Sequence, residues 1–163
     1  MSFDFNKDAL LRSAKRINVS YFKEQQEDAI NAIWQWWQSQ SISFTLSGYA
    51  GTGKTFIMRH LVRYLIVEKV CVTAPTHKAL RVLENSSGKK GMTIQSLCGL
   101  RPDVDIEDYN IENPSFKVIG EQKMRGYRLV IIDECSMINP GLFNLLIKTA
   151  IQCRCKLLFL GEM

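Results

Sequence analysis

Two runs of uninterrupted apolar residues, Leu129-Val130-Ile131-Ile132 and Leu157-Leu158-Phe159-Leu160, constrain this chain more than any other feature. A strand made of such a run has no polar side to turn to water, so both of its faces must be covered. Parallel sheets flanked by helices are where strands of this kind occur. Residues 42–47 and 70–74 read as further strands, and helical patterns lie between the strand candidates. Asn139-Pro140 supplies an N-cap and a first-turn proline for a helix reaching about residue 150. Strand and helix in alternation predict an α/β domain, a parallel sheet with helices on both faces. At 163 residues one such domain fits, with no room for a second of full size.

Ahead of this pattern, residues 7–16 read as a short polar helix and residues 22–37 as a longer one. Ala29, Ile30, Ile33, Trp34 and Trp37 share one face of the longer helix at 3.6-residue spacing. Trp34 and Trp37 are expected to be core anchors rather than base-stacking platforms. Gln38-Ser39-Gln40-Ser41 reads as a linker, Val70 to Ala74 as a strand stopped at Pro75, and residues 85–91 as a loop. Residues 101–126 break the alternation. They hold the acidic run Asp103-Val104-Asp105-Ile106-Glu107-Asp108, a turn at Asn113-Pro114 and a small strand candidate over 116–119, as a small inserted subdomain would.

The net charge of +5 is not spread evenly. Residues 48–100 carry all of the excess, which suits a phosphate ligand, a nucleic acid or plain solubility. Cys71, Cys98, Cys135, Cys153 and Cys155 show no framework spacing, so reduced thiols in a cytoplasmic protein are expected. No apolar run approaches the roughly 18 residues of a membrane helix. Met1-Ser2-Phe3-Asp4 lacks the basic start of a signal peptide.

The chemistry begins at Gly48-Tyr49-Ala50-Gly51-Thr52-Gly53-Lys54-Thr55, a phosphate-binding loop of the pattern G-x-x-x-x-G-K-[ST]. Its glycines let successive N–H groups converge on phosphate oxygens, and the following helix adds its dipole. Lys54 is placed to reach the β- and γ-phosphates, and the Thr55 hydroxyl to ligate Mg²⁺. The apolar run 129–132 then delivers Asp133 and Glu134 to the C-terminal edge of the sheet, where α/β folds bind ligands. Asp133 is expected to hold Mg²⁺ and Glu134 to polarise the water that attacks the γ-phosphate. ATP and Mg²⁺ are thus the expected ligands.

Four segments in order, the loop just described, Ala74-Pro75-Thr76-His77-Lys78-Ala79, Thr93-Ile94-Gln95-Ser96 and Asp133-Glu134-Cys135-Ser136-Met137, resemble superfamily 1 DNA helicases, RecD-like branch, Dda type. The resemblance covers about residues 26–161 and is to the first RecA-like motor domain. It implies a RecA-like P-loop NTPase fold with the 157–160 strand between the loop strand and the Asp133 strand. Residues 1–40 would be N-terminal helices carrying a glutamine motif, with Gln26 reading adenine. Residues 41–163 would be the ATP-binding domain and 101–127 a pin-like subdomain, with Tyr109 or Phe116 as a wedge. The resemblance further implies single-stranded DNA as partner, contacted by Pro75, Thr76, His77, Thr93, Gln95 and Ser96. Gln95 stands where the family commonly has histidine.

The sequence departs from the family at Leu160-Gly161-Glu162-Met163, where relatives continue to a γ-phosphate-sensing glutamine. The second RecA-like domain, with its arginine fingers, is also expected to be missing. Two alternatives remain at this stage: a non-catalytic, nucleotide-dependent DNA- or protein-binding module, and another P-loop ATPase.

Overall fold

The computed structural model describes residues 24–49, 51–64, 69–102, 116–118, 120 and 122–161. In chain order the elements are α1 (Glu24–Gln38), β1 (Ser43–Ser47), α2 (Lys54–Tyr64), β2 (Val70–Ala74), α3 (His77–Ser87), β3 (Met92–Thr93) and α4 (Ile94–Cys98). They continue with β4 (Leu100–Pro102), β5 (Phe116–Val118), β6 (Leu129–Ile132), α5 (Pro140–Cys153) and β7 (Lys156–Gly161). Two 3₁₀ turns, Lys123–Gly126 and Cys135–Met137, flank β6. The helix expected over 7–16, the acidic run at 103–108 and Tyr109 lie outside the described residues.

Five strands form a parallel sheet in the order β1-β7-β6-β2-β3, so β7 lies between the loop strand and the Asp133 strand as expected. The apolar runs explain its two-sided cover. Val70, Val72, Leu129, Ile131, Leu158 and Leu160 point to one face, where α1 and α2 bring Ile30, Ile33, Ile57, Met58 and Leu61. Their neighbours Cys71, Val130, Ile132, Leu157 and Phe159 point to the other, against Ile94 and Leu97 of α4 and Leu142, Leu146 and Ala150 of α5. Period-two alternation thus distributes each apolar run between two cores. Leu158, fully buried and in register between Phe44 and Ile131, is worth about 2–5 kcal/mol against alanine.

Three expectations need correction. Trp36, not Trp34, is the buried indole of α1, with its ring 5.7 Å from Phe44. The helix turns about 100° per residue. Ile30, Ile33, Trp36 and Trp37 therefore share an arc that leaves Trp34 beyond its edge. Second, α3 runs to Ser87 and so takes in the first part of the 85–91 stretch expected as a loop. Ser86 Oγ and Ser87 Oγ fold back onto the Leu83 and Glu84 carbonyls, and Gly88 ends the helix at φ 69°. Third, Gln38-Ser39-Gln40-Ser41 ends α1 but is fastened rather than loose. Lys156 Nζ donates to the carbonyls of Trp36, Ser39 and Ser41 at 2.8, 2.8 and 3.1 Å.

The excursion between α4 and β6 contributes a separate two-stranded antiparallel sheet, β4 with β5. Phe116 opens β5, so the small strand expected there is present over 116–118.

Candidate active site

The loop after β1 bends because its glycines adopt backbone angles that other residues resist. Gly51 and Gly53 have φ of 79° and 92°. A Cβ on Gly53 would collide with the side-chain amide nitrogen of Gln26, so the bend is also a close approach between loop and α1. Gln26 Nε2 donates to the Thr52 carbonyl at 3.3 Å. Within the loop, Thr52 Oγ1 donates to the Tyr49 carbonyl at 2.9 Å. Lys54 Nζ donates to the Gly48 and Tyr49 carbonyls at 2.6 and 2.9 Å. The lysine thereby crosses the loop that precedes it and holds its curvature. Ala50 lies outside the described residues.

β6 ends beside β2, and the Asp133 N–H still donates to the Thr73 carbonyl at 3.0 Å. The carboxylate then turns back, Oδ1 accepting from the Glu134 N–H at 2.9 Å. Glu134 takes up the left-handed region at φ 53°, which no sequence signal announced. That conformation strains a non-glycine residue, and such strain collects at functional sites. It turns the chain out of the sheet into the Cys135–Met137 turn, with the Met137 N–H on the Glu134 carbonyl.

Loop and acids share one cavity of about 690 Å³, lined by Gly51, Gly53, Lys54, Thr55, Asp133 and Glu134 among others. Val82, Ser136 and Met137, for which no site role was expected, also line it. Val82 and Met137 are exposed apolar side chains at its mouth, and only their tertiary position reveals them. Gly161, at the end of β7, lines the same cavity, and a Cβ there would collide with Cys135 Sγ. A smaller hollow of about 230 Å³ on the Gln26 side of the loop is lined by Gln26, Ala29, Ser47, Gly48, Tyr49 and Thr52, among others. A triphosphate with a divalent cation suits the larger cavity. Curled glycine-rich backbone, an ammonium, a hydroxyl and two carboxylates all line it.

The other expected residues gather farther along the same sheet edge. β2 pairs with β3 so that Ala74 faces Thr93 in register, which brings the two strand-to-helix turns together. Thr76 and Thr93 are N-caps: their Oγ1 atoms accept from the N–H groups of Ala79 and Ser96 at 3.1 and 3.3 Å. A hydroxyl that accepts keeps one O–H to donate. His77 is exposed, whereas Pro75, Gln95 and Ser96 are half-buried. Lys123 Nζ donates to Ser96 Oγ at 3.4 Å, a contact that no sequence signal predicted.

A protein-family model described as an AAA domain matches residues 21–163. The chain belongs to this AAA-domain family. Within it, the chain is 32% identical over 142 residues to the ATP-dependent DNA helicase dda of Enterobacteria phage T4, covering 85% of this chain and 31% of that protein. It is 34% identical over 136 residues to an uncharacterized protein of Acanthamoeba polyphaga mimivirus, covering 73% and 28%. It is also 27% identical over 100 residues to the ATP-dependent DNA helicase Pif1 of a Psychrobacter strain, covering 61% and 15%. The resemblance to a superfamily 1 RecA-like motor domain therefore holds for this AAA-domain chain, which spans about a third of the length of the first two relatives. Among the described residues no helix is long and apolar enough to cross a membrane.

Proposed function

We propose that this AAA-domain chain is the ATP-hydrolysing part of a DNA helicase motor of the RecD-like branch, its hydrolysis stimulated by single-stranded DNA. The observation that carries the proposal is the single cavity shared by Lys54, Thr55, Asp133 and Glu134. In this reading residues 41–163 are the ATP-binding domain, residues 1–40 bring the glutamine motif, and 101–127 are the pin-like subdomain. Cytoplasmic residence and service in DNA replication or repair belong to the same proposal.

Each residue then has a physical task. The N–H groups of the loop from Gly48 to Thr55 receive the phosphate oxygens. Lys54 leaves the Gly48 and Tyr49 carbonyls for the β- and γ-phosphates and neutralises charge there. The Thr55 hydroxyl and the Asp133 carboxylate are the groups that would hold Mg²⁺. When bound, that ion supplies phosphate charge neutralisation and fixed geometry. Glu134, exposed and turned out of the sheet, accepts a proton from the attacking water. Gln26, already on the loop, stands beside the smaller hollow, where an adenine base would meet its amide. Pro75, Thr76, His77, Thr93, Gln95 and Ser96 contact the strand along its backbone.

Titration of the purified chain with a fluorescent ATP analogue, with and without a single-stranded oligonucleotide, tests the proposal. Mg²⁺-dependent binding is expected, with slow phosphate release that the oligonucleotide accelerates. DNA affinity should fall steeply with salt, because the contacts are to phosphates. Tight nucleotide binding that no oligonucleotide influences would point instead to a P-loop ATPase of another kind.

A further inference from the structure

Lys123 and Ser96 are 27 residues apart, with the β4–β5 excursion between them, yet Nζ lies 3.4 Å from Oγ. The contact follows from how the excursion is closed. β4 and β5 run antiparallel, and at their foot the Gly120 N–H donates to the Gly99 carbonyl at 3.0 Å. The returning chain enters the Lys123–Gly126 turn, whose Met124 is fully buried in the same core as Ile94 and Leu97 of α4. With Met124 anchored, Lys123 projects from the turn as an exposed side chain beside α4.

An ammonium has three donors and no acceptor. Here one donor goes to a hydroxyl, and among the described residues no carboxylate neutralises the charge. Ser96 Oγ, accepting from Lys123, must aim its own O–H elsewhere. Ser96 also gives its N–H to Thr93 Oγ1, which fixes the backbone beneath the hydroxyl. A full positive charge and two side-chain hydroxyls thus stand together on the sheet edge that carries Pro75, Thr76 and His77.

We infer that Lys123 is a phosphate-binding residue at the foot of the excursion, forming with Ser96 a two-donor subsite for one backbone phosphate of a single strand. The inference rests on the proposed binding of single-stranded DNA and adds a residue to it. A lysine serves this role as a point charge, so it recognises the phosphodiester and not the base.

Fluorescence anisotropy with labelled oligothymidine, read across a salt series, tests it. At low salt Lys123→Ala is expected to weaken binding about fivefold, a modest effect because the charge is exposed. Its log K against log salt slope should become shallower by about 0.7, the value for one phosphate contact on a single strand. Lys123→Arg should retain the slope, and an abasic strand should show the same loss as oligothymidine. Ser96→Ala should weaken binding without changing the slope, since it removes no charge. Affinity for the ATP analogue should be unchanged in Lys123→Ala, which also reports an intact fold. Arg125→Ala is the charge-matched control from the same turn. An equal loss in that variant, an unchanged slope in Lys123→Ala, or a loss confined to the base-bearing strand would each overturn the inference. Failure of the unaltered protein to bind any single strand would overturn both the inference and the DNA reading beneath it.

Discussion

Lys156 Nζ lies 2.8 Å from the Trp36 carbonyl oxygen and 4.9 Å from the centre of the Trp36 ring. The first residue of β7 thereby closes the C-terminus of α1, where unpaired carbonyls and the negative end of the helix dipole favour a cation. The same ammonium reaches Ser39 and Ser41, so it holds the end of α1 to the N-terminal end of the sheet, the end opposite the one from which the phosphate loop leaves β1.

Lys156→Met should therefore destabilise the fold without touching the cavity. Loss of the three carbonyl contacts is expected to cost about 1–2 kcal/mol. For a domain of this size that lowers Tm by about 2–8 °C. Thermal denaturation checks this, and an unchanged Tm would show the clamp to be idle.

Lys54 makes a contrasting case, because its bonds to Gly48 and Tyr49 stay within one loop. Lys54→Ala should reduce ATP-analogue affinity by at least about 100-fold, the worth of two charge-assisted phosphate bonds. The α/β core, which the side chain does not enter, should remain folded by circular dichroism. Full affinity in that variant would mean that the triphosphate sits elsewhere.

The sequence made the scaffold legible through residues that obey a period. The apolar runs 129–132 and 157–160 announced two-sided strands, and Asn139 does accept from the Leu142 N–H as an N-cap. Gly51 and Gly53 were readable because only a bend with positive φ needs them. Trp36 was misjudged because three neighbouring indoles fit a helical face almost equally, and packing against Phe44 selects among them. The left-handed turn at Glu134, the crossing of Gln26 onto Thr52 and the meeting of Lys123 with Ser96 join residues through tertiary placement. No local pattern encodes them.

The two acids should separate in their effects. Glu134→Gln keeps the shape and removes the proposed base, so phosphate release should slow by about 10²–10⁴ while nucleotide affinity persists. Asp133→Asn should shift the Mg²⁺ concentration needed for binding. Equal effects of both substitutions on Mg²⁺ dependence would contradict the division of roles.

The thiols offer a test of packing. Burial pushes Cys98 and Cys155 up to about 12, with Cys153 nearby adding to both, and pushes Cys71 up to about 11. At pH 8 the thiolate fraction of a thiol titrating near 12 is about 10⁻⁴, since the protonated form dominates below the pKa. Iodoacetamide should therefore label these three slowly in the native protein, faster as pH rises, and fully after denaturation. Peptide mass spectrometry reads the order, and rapid labelling of Cys98 or Cys155 at neutral pH would show that the core opens.

The capping geometry dictates how the proposed DNA contacts must be probed. Thr76 Oγ1 caps α3 through the Ala79 N–H, so Thr76→Ala should cost about 1 kcal/mol of stability whatever it does to binding. His77 is exposed, and His77→Ala should leave stability within about 0.5 kcal/mol. A combined Thr76 and His77 variant would thus confuse a loosened helix with a lost contact. Thr76→Ser keeps both the cap and the hydroxyl and should bind single-stranded DNA as the unaltered protein does. Thr76→Asn keeps the cap acceptor but replaces the hydroxyl donor. His77→Ala should weaken oligonucleotide binding with ATP-analogue affinity intact. If His77→Ala binds the oligonucleotide normally and Thr76→Asn does too, the turn after β2 is a helix start and not part of the strand track.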